Sequence, residues 1–268
     1  MDAAGIPLSE HDSLKTWLDA SMLALAPGSQ VTQLRDRSLT GADAVVTNAA
    51  TYLQRRINDL PVVFLQANKS QSLTWTNNSN AVCKIFGPGM VVSMQFTAFV
   101  VIRFSELSKD MTILSAIKRF SLDDLFEFRI SMERGVHEYK MRTIVNANSV
   151  STHSAKMTAE SRFVILVLAH DGSALKTYKS SSATPLEQIH GMNGLDQYLH
   201  QKGIDSNMPE IDHVSLGCGS NGHQTKNCLE AEVAEILMYD TLLSMLDLDR
   251  VAGYLSRKYQ LEWTFSTG

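Results

Sequence analysis

The segment Phe126-Glu-Phe-Arg-Ile-Ser-Met132 alternates apolar and polar residues without a break. A period of two places Phe126, Phe128, Ile130 and Met132 on one face of an extended chain and Glu127, Arg129 and Ser131 on the other. A strand with one face to bury and one to wet belongs in an antiparallel sheet. Residues 14–20, 31–36, 44–47, 61–66, 90–104, 112–117, 125–132, 138–145, 162–169 and 174–178 are likewise rich in β-branched and aromatic types. Clusters of Gly, Asn, Ser and Asp separate them, so the chain predicts an all-β fold of two antiparallel sheets.

Two segments depart from that pattern. Residues 180–209 carry Pro185, Gly191, Gly194 and Gly203 and read as a long rim loop, with a short helix expected over 193–201. Ser244-Met-Leu-Asp247 has the form of a capping box and opens Leu248, Val251, Ala252, Leu255 and Tyr259 at helical spacing. An amphipathic helix over 244–260 is therefore expected to pack on the sandwich. With 268 residues, 44% of them apolar, a single domain over 1–268 can bury a large core.

Both ends of the chain resemble a known family. Leu14-Lys-Thr-Trp17-Leu-Asp19-Ala20, Val31-Thr-Gln-Leu-Arg35-Asp36-Arg37-Ser38 and Pro61-Val-Val-Phe64 resemble the opening of the laminin-G-like, concanavalin A-like jelly-roll modules. Glu232-Val-Ala-Glu235-Ile-Leu-Met-Tyr239-Asp240, followed by Val251-Ala-Gly-Tyr254-Leu255-Ser-Arg-Lys258-Tyr259, is similar to their closing strand and helix. The resemblance implies an antiparallel jelly-roll β-sandwich with a C-terminal amphipathic helix. It gives Trp17 a place in the core and Asp19, Arg35, Asp36 and Glu235 the task of tying loops to backbone amides or to one another. Modules of this kind serve as carbohydrate-binding domains, as glycan hydrolases and lyases, and as parts of virus and phage particles. Fold alone does not choose among these.

Retaining glycan hydrolases on this fold need two carboxylates about 5 Å apart. The candidates are Glu230, Glu232 and Glu235; a regular strand would send Glu235 to the opposite face, so a catalytic set requires a bulge near Val233 and Ala234. Without a phosphate cradle, a nucleophile elbow or a paired helical histidine motif, the sequence is read as non-catalytic and free of cofactors. A net charge of −4 gives no positive field for nucleic acid, and no apolar run reaches the length of a membrane-spanning helix.

Leu216-Gly-Cys218-Gly-Ser-Asn221-Gly-His223-Gln-Thr-Lys-Asn-Cys228 holds three of the ligand types of a zinc knuckle, and His213 is the available fourth. Its glycines and Asn221 read equally as a hairpin loop. Because the N-terminus shows no secretory signal, synthesis in the reducing cytoplasm is expected, with Cys218 and Cys228 as free thiols in preference to a crosslink. For glycan contacts the candidates are Trp75, Asn77 and Asn78, then Asn221 and His223: an aromatic for stacking and amides for sugar hydroxyls. The expected role is a structural and adhesive component of a larger assembly such as a virus or phage particle. Its partners would be other assembly proteins, further copies of itself, or cell-surface glycans. A free lectin-like module is the alternative.

Overall fold

In the computed structural model, residues 12–77, 79–87, 89–90, 94–105, 110–119, 125–134, 139–145, 148–155, 162–171, 175–180, 207–220 and 225–263 are described. Fourteen strands form one antiparallel sheet. In chain order they are β1 (Leu14–Asp19), β2 (Gln30–Leu34), β3 (Ala44–Ile57), β4 (Leu60–Leu65), β5 (Ser72–Thr76), β6 (Gln95–Phe104), β7 (Met111–Arg119), β8 (Leu125–Arg134), β9 (Tyr139–Val145), β10 (Asn148–Ala155), β11 (Val164–Asp171), β12 (Leu175–Lys179), β13 (His213–Leu216) and β14 (Ala231–Tyr239). Helix α1 (Ala81–Ile85) follows β5, and α2 (Met245–Tyr259) follows β14. The order across the sheet is β10-β9-β8-β7-β13-β5-β3-β4-β14-β6-β11-β12, with β1 on β14 and β2 on β3.

One long strand makes this ribbon fold over itself. β3 pairs with β5 through Val45–Thr47 and with β4 through Thr51–Leu53. Between those stretches Asn48 and Ala49 take φ of 56° and 42°, turning the strand from one half-sheet into the other. Gln71 holds the bend: its Nε2 donates to the carbonyls of Asn48 (3.0 Å) and Ala49 (2.6 Å), and its Oε1 accepts from Gln66 N (2.8 Å). The polar stretch Asn48–Arg56 carries no strand signal of its own, so tertiary pairing extends β3 beyond the 44–47 expected from propensity.

The folded-over halves enclose one apolar cluster, to which Leu73, Trp75, Phe128, Ile130 and Met132 come from one side and Phe96, Ile102, Val164 and Ile236 from the other. Of the apolar face expected in 126–132, Phe128, Ile130 and Met132 are wholly buried, but Glu127, Arg129 and Ser131 on the opposite face are buried as well, at 3%, 5% and 5% exposure, so that face is not the wetted one expected. A second cluster lies on the outer face of the β4-β14-β6-β11 half, where Trp17, Phe99, Val101, Ile165 and Leu237 meet Leu248, Val251, Ala252, Leu255 and Tyr259 of α2. The expected capping box forms, with Asp247 N donating to Ser244 Oγ at 3.2 Å and Ser244 Oγ donating to Asp247 Oδ2 at 2.6 Å. The expected helix within 193–201 lies outside the described residues. Among those described, no helix is long and apolar enough to cross a membrane.

Replacing Gln71 by Ala strips two carbonyls and an amide of a buried partner. The expected loss is about 1–3 kcal/mol, read as a lower urea midpoint with an unchanged slope.

Candidate functional site

β14 carries all three carboxylate candidates in or just before it. Val233 and Ile236 point into the inner core, whereas Ala234 and Leu237 belong to the outer cluster. Two consecutive residues, Ala234 and Glu235, therefore face outward, and the β14–β6 register shifts between Val233 and Glu235. That is the bulge a paired-carboxylate arrangement requires. It brings Glu232 and Glu235 to one face, and each is then claimed by different partners.

Glu235 sits in a buried knot with β1 and α2. Its Oε1 accepts from Trp17 Nε1 (2.6 Å) and Tyr254 OH (3.0 Å), and its Oε2 from Tyr259 OH (2.7 Å) and Lys258 Nζ (2.7 Å). Lys258 Nζ also reaches Asp19 Oδ2 at 2.7 Å, where Arg37 Nη1 joins it at 2.8 Å. Arg37 lies over the Trp17 ring at 4.0 Å. Burial first, then the neighbouring Asp19, push the Glu235 carboxyl up, against the pull of Lys258 and Tyr259. Burial, then Glu235, raises the Tyr254 and Tyr259 hydroxyls well above their usual range, so both stay protonated donors. Trp17 is buried in the core as expected, and the tying role expected of Asp19 and Glu235 is thus met. Asp36 does the same for the next loop, accepting from the amides of Trp17, Ser38 and Ala42. Arg35 is instead exposed, and Arg37 takes the place expected for it.

Glu232 is buried beneath two arginines. Arg56 binds it side-on, Nε to Oε2 at 3.1 Å and Nη2 to Oε1 at 2.8 Å, and Arg103 Nη2 donates to the same Oε1. The Glu232 side chain is 4% exposed, the Arg56 side chain 40% and the Arg103 side chain 26%, so the carboxylate lies beneath two more exposed arginines. Burial alone would raise the Glu232 carboxyl, but hydrogen bonds and charge from Arg56 and Arg103 outweigh it and hold the group below the usual carboxylate range. Directly across β4 and β14, Phe64 opposes Glu232, which in turn opposes Arg103 on β6. Phe64 is partly exposed. Arg103 lies 5.4 Å above the Phe163 ring. Local backbone aims Arg56 here: the β3–β4 register shifts between Leu53 and Ile57, Arg55 has φ 50°, and Asn58 and Asp59 at 44° and 58° close a two-residue hairpin. An aromatic, two arginines and a carboxylate thus share one solvent-facing stretch of rigid sheet.

The other candidates fare differently. Glu230 precedes β14 and is half-buried, its carbonyl accepting from Ser105 N. Trp75 is 1% exposed in β5, with its indole N–H on the Ala42 carbonyl at 3.0 Å, so it cannot stack on a sugar. Its alternation with Leu73 carries it into the core. Asn77 is exposed, but its Oδ1 accepts from Ser79 N in a turn. Asn78, Asn221 and His223 lie outside the described residues.

Cys218 and Cys228 form a disulfide, which corrects the expectation of free thiols. The pairing of Gly219 with Lys226 and of Ser220 with Thr225 folds the segment into a hairpin, bringing the two Cα atoms within 4.1 Å. With both sulfurs bonded to each other, the zinc set of His213, Cys218, His223 and Cys228 has lost its thiolates. Of the loop glycines, Gly217 supplies a positive φ of 114°, whereas Gly219 is required by close packing: a Cβ there would meet Thr112 Oγ1 at 2.8 Å and Arg129 Nη1 at 3.0 Å. That hairpin borders a second polar row, Thr74, Ser215, Ser115 and Arg129, on the outer face of the other half-sheet. Its members are 5%, 3%, 0% and 5% exposed, whereas Arg56 and Arg103 around Glu232 are 40% and 26% exposed.

No family model and no curated protein sequence matches the chain. Solved structures do. The Trypanosoma rangeli sialidase in complex with sialic acid superposes with a TM-score of 0.56 at 12% identity, over 93% of this chain and 34% of that one. The binding domain of botulinum neurotoxin serotype G gives 0.57 at 13%, over 91% and 51%. The binding domain of botulinum neurotoxin DC in complex with SialylT gives 0.54 at 10%, over 91% and 52%. The chain therefore spans about a third to a half of these proteins and shares their fold. A non-catalytic reading does not survive this comparison, because sialidases stand among the first of the similar structures.

Two measurements check this chemistry. Denatured, unreduced protein should titrate one thiol per chain, from Cys83, and three after reduction. Glu232 has a depressed pKa in the folded state, so its contribution is present at neutral pH and is lost as pH falls through the carboxylate range. Between pH 7 and pH 3, about where carboxylates protonate, the melting temperature of Glu232→Gln should fall less steeply than that of the wild type.

Proposed function

We propose that this chain is a glycan-binding jelly-roll module whose site is Phe64, Glu232, Arg103 and Arg56. One observation carries the reading: a partly exposed aromatic ring stands in direct cross-strand register with an arginine-clamped carboxylate. Such a set offers a stacking face for sugar C–H groups and fixed donors for hydroxyls. The similar structures support it, since one holds sialic acid and another is in complex with SialylT. The resemblance of both chain ends to laminin-G-like and concanavalin A-like modules points the same way. We place the module in a larger assembly as its adhesive part, a virus or phage particle being the setting which that resemblance suggests.

A glycan array with purified protein tests the site. Wild type should retain a defined subset of glycans, and Phe64→Ala and Arg56→Ala should each lose about 10-fold or more in affinity, the order expected for a residue worth 1.4 kcal/mol. Because sialidases share the fold, the retained glycans are also assayed for released sugar. Unchanged binding in both variants would sink the proposed site, and silence of a folded wild type would sink the glycan reading.

A further inference from the structure

Of the five N–H groups of a guanidinium, Glu232 takes one on Nε and one on Nη2 of Arg56. That side-on grip fixes the plane of the guanidinium and leaves the edge formed by Nη1 and the second Nη2 hydrogen directed away from Glu232. The side chain is 40% exposed, so this edge meets solvent. A rigid pair of parallel N–H groups matches the two oxygens of a carboxylate, and a planar acid gains from it what a neutral hydroxyl cannot. The two guanidiniums of Arg56 and Arg103 stand against the single carboxylate of Glu232, which is itself held in its ionised form. An arriving anion therefore meets, on Arg56, donors already oriented by an ionised carboxylate.

Resting on the glycan reading above, we infer that the site selects sugars bearing a carboxylate, with Arg56 gripping the acid and Phe64 packing against the ring beside it. Glu232 is then a positioning residue: it orients Arg56 and does not touch the ligand. Sialic acids and uronic acids both offer the carboxylate, and the test separates them.

Titration calorimetry with sialyl-lactose, its carboxylate methyl ester, lactose and a tri-uronate provides the test. The free acid should bind about 10-fold or more tighter than its ester. Arg56→Ala should erase that ratio, and Arg56→Lys, which keeps charge without the fork, should restore only part of it. Raising salt should weaken the acid and not the ester. Preference for sialyl-lactose or for the tri-uronate assigns the acid's source, and either preference upholds the inference. Equal binding of acid, ester and lactose, all lost in Phe64→Ala, would overturn carboxylate selection while leaving glycan binding intact. Binding of none of the four by folded protein would overturn both.

Discussion

Much of this molecule turns on a single extra residue in β14. The bulge between Val233 and Glu235 changes which side chains face outward, and without it Glu235 would point into an apolar core. Bare burial of a carboxylate there would cost several kcal/mol. Displaced outward, Glu235 instead receives an indole, two phenols and an ammonium, and through them joins β1, β14 and α2. The same displacement leaves Glu232 at the far side of the bulge, on the same face but clear of the helix, where Arg56 and Arg103 meet it. A backbone irregularity thus separates an inward-looking knot from an arginine-clamped carboxylate within one nonapeptide strand.

Sequence reading reached the strand class and the capped helix because each rests on local signals: period two, period 3.6, and the side-chain chemistry of a cap; the tying roles of Asp19, Asp36 and Glu235 came from the resemblance, which placed Arg35 among them wrongly. It expected the 126–132 alternation and the apolar face of α2 residue by residue. Its misses share a physical cause. Trp75 was placed with the Asn-rich turn after it, yet the alternation of Leu73 and Trp75 had already assigned the ring to the core. The polar half of β3 carries no strand propensity, and its pairing with β4 comes from tertiary contact. The crosslink of Cys218 and Cys228 depended on a hairpin register that spacing does not fix.

The proposed site was half legible. Glu232 was named on its motif and Phe64 on its place in the family pattern, but the two met only once β4 and β14 paired. Arg56 was invisible, since its direction depends on Arg55 adopting a left-handed conformation in a bulge before the Asn58-Asp59 turn. Adjacent arginines on a strand normally point to opposite faces, and nothing in the local composition marks which of them will find an acid 176 residues away. Sites assembled across four strands are written in register, which a single sequence records poorly.

The Trp17 indole and the Glu235 carboxylate lie 218 residues apart in the chain. Contacts of such separation are entropically late. During synthesis β1 leaves the ribosome long before its neighbour β14 or the helix that roofs Trp17 exists. Its apolar face must wait for β14 while the 218 residues from Trp17 to Glu235 are made. Closure of the knot is then the event that completes the sheet, so a truncation that removes α2 would expose the opening strand to misassembly.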